Sequence, residues 1–192
     1  MLNQFESITK EPSLFFSHCQ GCQTSCCDGS RFIFAPLILE DFVDVYRYFP
    51  IFFAKLYDEW RILMLFSQEG ACRYYTNGEC SIYSHRPPSC RLYPLSPYFD
   101  EIFVDRGCGA VNTHQHGNVL VSGGSINPAF YHERLDNFPA KRQRTISYLA
   151  AIAPFLVPYT TFQGIMIYRY EGGDHDPYIR MHHASLEKFP LV

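Results

Sequence analysis

Charge is scarce in this 192-residue chain: charged residues make up 18%, and the formal net charge is −3. Without a basic excess, a strongly electrostatic nucleic-acid binder is excluded. The N-terminus, MLNQFESITKEPSLFF, lacks the basic start, apolar run and small-residue cleavage site of a secretory signal, so a cytoplasmic protein is expected. No glycine-rich loop suited to a phosphate or to S-adenosylmethionine appears, and Gly123-Gly124 and Gly172-Gly173 are poor substitutes. Gly-x-Ser-x-Gly is also missing, along with internal repeats and low-complexity linkers. Thr145 to Tyr168 carries no charge and is long enough for a bilayer, but Pro154, Pro158, Thr160, Thr161 and Gln163 interrupt it. A buried helix followed by a buried strand is expected there, with no membrane span.

What the chain has in quantity is cysteine and aromatic side chains. Residues are 47% hydrophobic and 17% aromatic, which is enough for a real core. The eight cysteines all precede Gly109 and fall in two groups. Cys19, Cys22, Cys26 and Cys27 form Cys-x2-Cys-x3-Cys-Cys; Cys72, Cys80, Cys90 and Cys108 follow among turn-formers and arginines. Thiols in a reducing compartment favour metal or redox chemistry over disulfides. Zinc takes four Cys or His ligands, and an iron–sulfur cluster takes four thiolates, so eight cysteines suffice for two sites, or for one plus spare thiols. Spacing leaves open zinc or iron, the number of sites and which cysteines share each. Arg31, Arg73, Arg86, Arg91 and Arg106 lie near cysteines in sequence, as compensating cations or as partners of surface carboxylates.

The patterning predicts a small, irregular, metal-centred α+β domain with a helical insert between the two cysteine groups and a helix/strand C-terminal extension. Residues 1–110 form the cysteine-cluster region, and residues 111–192 pack on it. Arg31 to Phe34 reads as a short strand, Pro36 as the opening of a helix over Leu37 to Tyr48, and Ile51 to Phe66 as a second amphipathic helix. Ser96 to Phe99 and Glu101 to Asp105 suggest a hairpin turning near Asp100. Val111 to Ser125 reads as loop and strand. Asn127-Pro128 and Phe138-Pro139 read as helix openings, and Ile165 to Tyr170 and Tyr178 to Met181 as two strands about a Glu171–Asp174 turn.

The run Cys72-x7-Cys80-x-Ile-Tyr-x2-Arg-Pro-x2-Cys90-Arg-x-Tyr-Pro, after Cys-x2-Cys-x3-Cys-Cys, resembles the YkgJ-type cysteine-cluster family of zinc- or iron-chelating domains. Flagellin lysine N-methylases carry a related cluster. The resemblance spans about Ser17 to Ala110; at Cys108-Gly109-Ala110 the proline usual in the family is replaced. It implies metal binding through Cys19, Cys22, Cys26, Cys27, Cys72, Cys80, Cys90 and Cys108, with no assured reaction. Arg86 and Pro87 would shape the turn presenting Cys90, and Arg91 would lie beside its thiolate. The expected function is therefore zinc or iron–sulfur binding in a structural or redox role. The alternatives are a metal-dependent enzyme such as a protein methyltransferase and a disulfide-stapled secreted domain.

His18 and His85 flank cysteines and are candidate replacement ligands. His114 and His116 would share a strand face, with Glu133 or Asp136 as possible co-ligands. His182-His183 reads as surface, and Asp174-His175-Asp176 as a turn. No partner is identified.

Overall fold

The computed structural model describes residues 4–10, 13–18, 26–27, 32–67, 70–98, 101–174 and 176–190. The chain opens with β1 (Phe5–Ser7) and β2 (Ser13–Phe16), and later reaches β3 (Phe34–Leu37), a 3-10 turn and the short helix α1 (Phe42–Val45). A hairpin follows, β4 (Ile51–Leu56) and β5 (Glu59–Leu65), then a small one, β6 (Tyr75–Thr76) and β7 (Glu79–Cys80). Helix α2 (Pro88–Leu92) leads into β8 (Leu95–Tyr98) and β9 (Glu101–Asp105). After β10 (Val111–Asn112), β11 (Asn118–Ser122) and β12 (Ser125–Ile126) comes the 15-residue helix α3 (Phe138–Ile152). Strands β13 (Leu156–Phe162) and β14 (Ile165–Tyr170) precede α4 (Pro177–Lys188).

The largest sheet has the order β13-β14-β4-β5-β3. Alternation gives it two apolar faces. Ile51, Phe53, Ile62 and Met64 point to one side and pack with Phe42 of α1, Leu149 and Ile152 of α3, and Ile179 of α4. Phe52, Ala54, Leu63, Leu65 and Ile167 form a separate buried cluster. A third cluster, including Ile8, Leu14, Leu95, Val104 and Leu120, joins the β1-β9-β8 sheet to the β10-β2-β11-β12 sheet. Strands from either side of residue 110 pair in both the largest sheet and the four-stranded one. Gly117, at φ +100°, lets β11 approach β2: a Cβ there would sit 2.3 Å from the Phe16 carbonyl oxygen.

Three expected elements are corrected. Ile51 to Phe66 is a hairpin and not a helix; it turns through Tyr57 and Asp58, whose φ values are 51° and 62°. That left-handed pair gives the backbone twist a two-residue hairpin needs. Pro36 lies in β3, where an edge strand tolerates its missing N–H, and helix begins only after the 3-10 turn at Leu39–Asp41. Tyr178 to Met181 belongs to α4, capped by the Asp176 carboxylate, which accepts the Tyr178 N–H at 2.7 Å. The hairpin expected over 96–99 and 101–105 forms over 95–98 and 101–105, α3 and β14 form as predicted, and the Asn127 side chain accepts the Ala129 N–H at 3.0 Å. The turn near Asp100 lies outside the described residues. Among the described residues, no helix is long and apolar enough to cross a membrane; Thr145 to Tyr168 is the latter part of α3 followed by a β-hairpin.

Candidate functional site: a cavity walled by thiols and aromatic rings

Cys26, Cys27, Cys72, Cys80, Cys90 and Cys108 all border one cavity of about 190 Å³. Local structure delivers each. The Cys72 N–H donates to the Cys27 carbonyl at 2.6 Å, bringing the early loop against the later group. Asn77 and Gly78, both at positive φ, turn the β6–β7 hairpin and set Cys80 opposite Tyr75. Pro87 and Pro88 start α2, which carries Cys90; Cys108 closes a turn by donating its N–H to Asp105. Phe34, Phe49, Phe66, Tyr74 and Tyr93 supply much of the remaining wall. Sulfur among aromatic rings gives a soft, polarizable lining.

Burial dominates the thiols' acidity. It pushes Cys72 up to about 11 and raises Cys80 and Cys90 as well. Arg86 acts in the opposite direction on Cys80 and Cys90, but more weakly than burial. The other arginines serve elsewhere. Arg91 lies 3.5 Å from Asp44 and Arg106 3.7 Å from Glu6, while the Arg73 guanidinium rests 4.3 Å from the Phe189 ring centre. Arg91 is therefore not the companion of the Cys90 sulfur that the resemblance implied. Arg31, Cys19 and Cys22 lie outside the described residues.

The expected metal centre is overturned. Among the described residues, no group of three or more His, Cys, Asp or Glu side chains could hold a metal ion. A zinc–thiolate bond is about 2.3 Å, so ligands must converge on one point; the described thiols border an open volume without forming such a group. Zinc, an iron–sulfur cluster and cluster-dependent methyl transfer therefore do not fit the described site, and the metal-centred description of the fold falls with them. Cys72, Cys80 and Cys90 carry free thiols, against the disulfide-stapled alternative.

The histidine candidates also disperse. His85 is exposed, with Nδ1 2.9 Å from the Ser84 hydroxyl, and His18 is exposed too. His114 and His116 are exposed in a loop, whose backbone N–H groups both donate to the Asn112 side chain. Asp136 accepts the Tyr131 hydroxyl instead of joining them. His182 is fully buried, not on the surface. Its Nδ1–H donates to the Ile51 carbonyl at 2.8 Å, and its Nε2 accepts the Tyr170 N–H at 3.3 Å. The ring thus supplies a rung between β4 and β14, and burial lowers its pKa to about 4.

Sequence reasoning missed two polar members of the cavity wall. The Ser89 hydroxyl is buried and has no hydrogen-bond partner among the described residues. Arg134 is buried against Asp41, its Nε 3.1 and 3.0 Å from the two carboxylate oxygens. Neither had a local signal, because burial and a pairing across 93 positions depend on tertiary structure.

Residues 18–115, half of the chain, match the family model CxxCxxCC, described as a "putative zinc- or iron-chelating domain". The chain belongs to this family. The CxxCxxCC description is a property of the family model, and the described geometry of this member does not reproduce a chelating group. No curated protein and no solved structure matches the chain.

Proposed function

We propose that this CxxCxxCC protein is a small-molecule binding module whose ligand occupies the cavity bordered by the six thiols. The observation that carries the reading is that volume of about 190 Å³, walled chiefly by aromatic rings and sulfur. Packed interiors leave few voids larger than a water molecule. An apolar cavity of ~150 Å³ in a protein interior is enough for a single benzene ring. The space therefore suits a ligand of one ring or an equivalent short chain, smaller than those held in pockets of about 300–1,000 Å³.

Among the described residues the charged side chains of the wall are Glu79, Arg86 and Arg134, a small number in an otherwise largely apolar site. With the deeper thiols held protonated by burial, the sulfur-lined part of the wall is neutral and suited to an apolar body. Calorimetric titration of the full chain with benzyl alcohol tests the reading. Saturable one-to-one binding is expected, and Ala35→Leu, which pushes bulk into the space from β3, should weaken it tenfold or more. Absence of saturable binding overturns the proposal. So does stoichiometric zinc or iron in protein purified without air.

A further inference from the structure

Resting on the cavity as a ligand site, we infer that its ligand is a small organic carboxylate whose charged end is held by Arg86 and Ser89. Both residues border the cavity, three positions apart across Pro87-Pro88. Arg86 Nε donates to the Tyr83 carbonyl at 3.0 Å, and the guanidinium lies 3.7 Å from the centre of the Tyr83 ring. Those contacts orient the fork but do not neutralise it: among the described residues, Arg86 forms no ion pair with a carboxylate, whereas Arg134 on the same wall is paired with Asp41. A guanidinium has five donors, and with Nε engaged its terminal nitrogens retain the edge that meets a carboxylate in two parallel bonds.

Ser89 completes the argument. A buried hydroxyl without a partner costs free energy, and such a group calls for a ligand or an ordered water. Ser89 borders the cavity, and its Oγ, buried from the space as it stands, is in that condition; rotation about χ1 is what would turn it onto a ligand. One cation and one orphaned hydroxyl beside an apolar chamber match a ring or short chain ending in a carboxylate. Among the described residues, Glu79 is the one carboxylate bordering the cavity, and it is solvent-exposed.

The test compares benzoate with the similarly sized neutral benzyl alcohol, by calorimetry on the full chain at low salt and neutral pH. Benzoate should bind at least tenfold more tightly. In Arg86→Gln the two ligands should reach parity, with benzyl alcohol affinity retained as the sign of an intact cavity. Ser89→Ala should weaken benzoate three- to tenfold and leave the alcohol nearly unchanged. If Arg86→Gln binds neither ligand, the Ser89 variant decides, and unchanged benzoate affinity there overturns the inference. Equal affinity of the two ligands for the parent protein overturns the carboxylate assignment and leaves the cavity reading standing. Binding of neither overturns both.

Discussion

Ser89 and Ser185 both bury their hydroxyls, and their surroundings could hardly differ more. Ser185 Oγ accepts the Ile51 N–H at 2.9 Å and donates to the His182 carbonyl at 2.7 Å. Beside it, both nitrogens of His182 are engaged and Phe53 packs at 4.8 Å between ring centres. Around Ser89 there is a chamber, and no acceptor or donor meets the hydroxyl among the described residues. Where buried polar groups are all matched, the role is to hold elements together; α4 hangs from the ends of β4 and β14 in this way. A mismatch beside empty volume marks a place kept for something else.

The contrast can be broken most forcefully where matched polarity borders the chamber. Asp41→Ala would strand the Arg134 guanidinium, whose side chain is 7% exposed, and should cost about 3–5 kcal/mol in urea unfolding. Protonation of His182 is the next test. Its pKa is lowered from 6.5 to about 4, so the unfolded chain takes up a proton before the folded one does. Stability should be level above pH 7 and fall by roughly 3 kcal/mol between pH 6.5 and 4. A pH series of unfolding midpoints, with His182→Gln lacking that component, checks it.

The two serines supply the sharper pair. Ser185→Ala orphans the Ile51 N–H and should cost about 1–3 kcal/mol by denaturant titration. Ser89→Ala removes a hydroxyl that had no partner, so the same measurement should move by no more than about 0.5 kcal/mol in either direction. A large loss at Ser89, matching that at Ser185, would show that the two environments are alike and that the chamber has no special status.

Local chemistry was legible where one residue type enforces one conformation. Asn77-Gly78 turned as its composition implied, and Asn127-Pro128 opened a helical turn. Ile51 to Phe66 misled because Ile51, Phe52, Phe53 and Ala54 are all buried: a strand covered on both faces has the continuous apolar run of a buried helix. Its turn, Tyr57-Asp58, contains no glycine to announce it. Asp176-Pro177 carried the same cap signal as Asn127-Pro128 and was overlooked in favour of the apolar spacing after it. At the site, the motif spacing located the cysteines along the chain. Their disposition around a volume depends on Phe5, Phe34 and Phe66, brought in by β1, β3 and the segment after β5, whose pairing is tertiary and not local.

The place of β14 inside the largest sheet, between β13 and β4, bears on how this protein can be handled. A fragment trimmed to the family-matched segment would lose Ile167 and Tyr168, the partners of Ala54 and Phe53. The β4 backbone would then become a sticky border, open to pairing with a second molecule. Minimised versions should therefore keep the last helix and hairpin, or they will precipitate before any ligand can be tried.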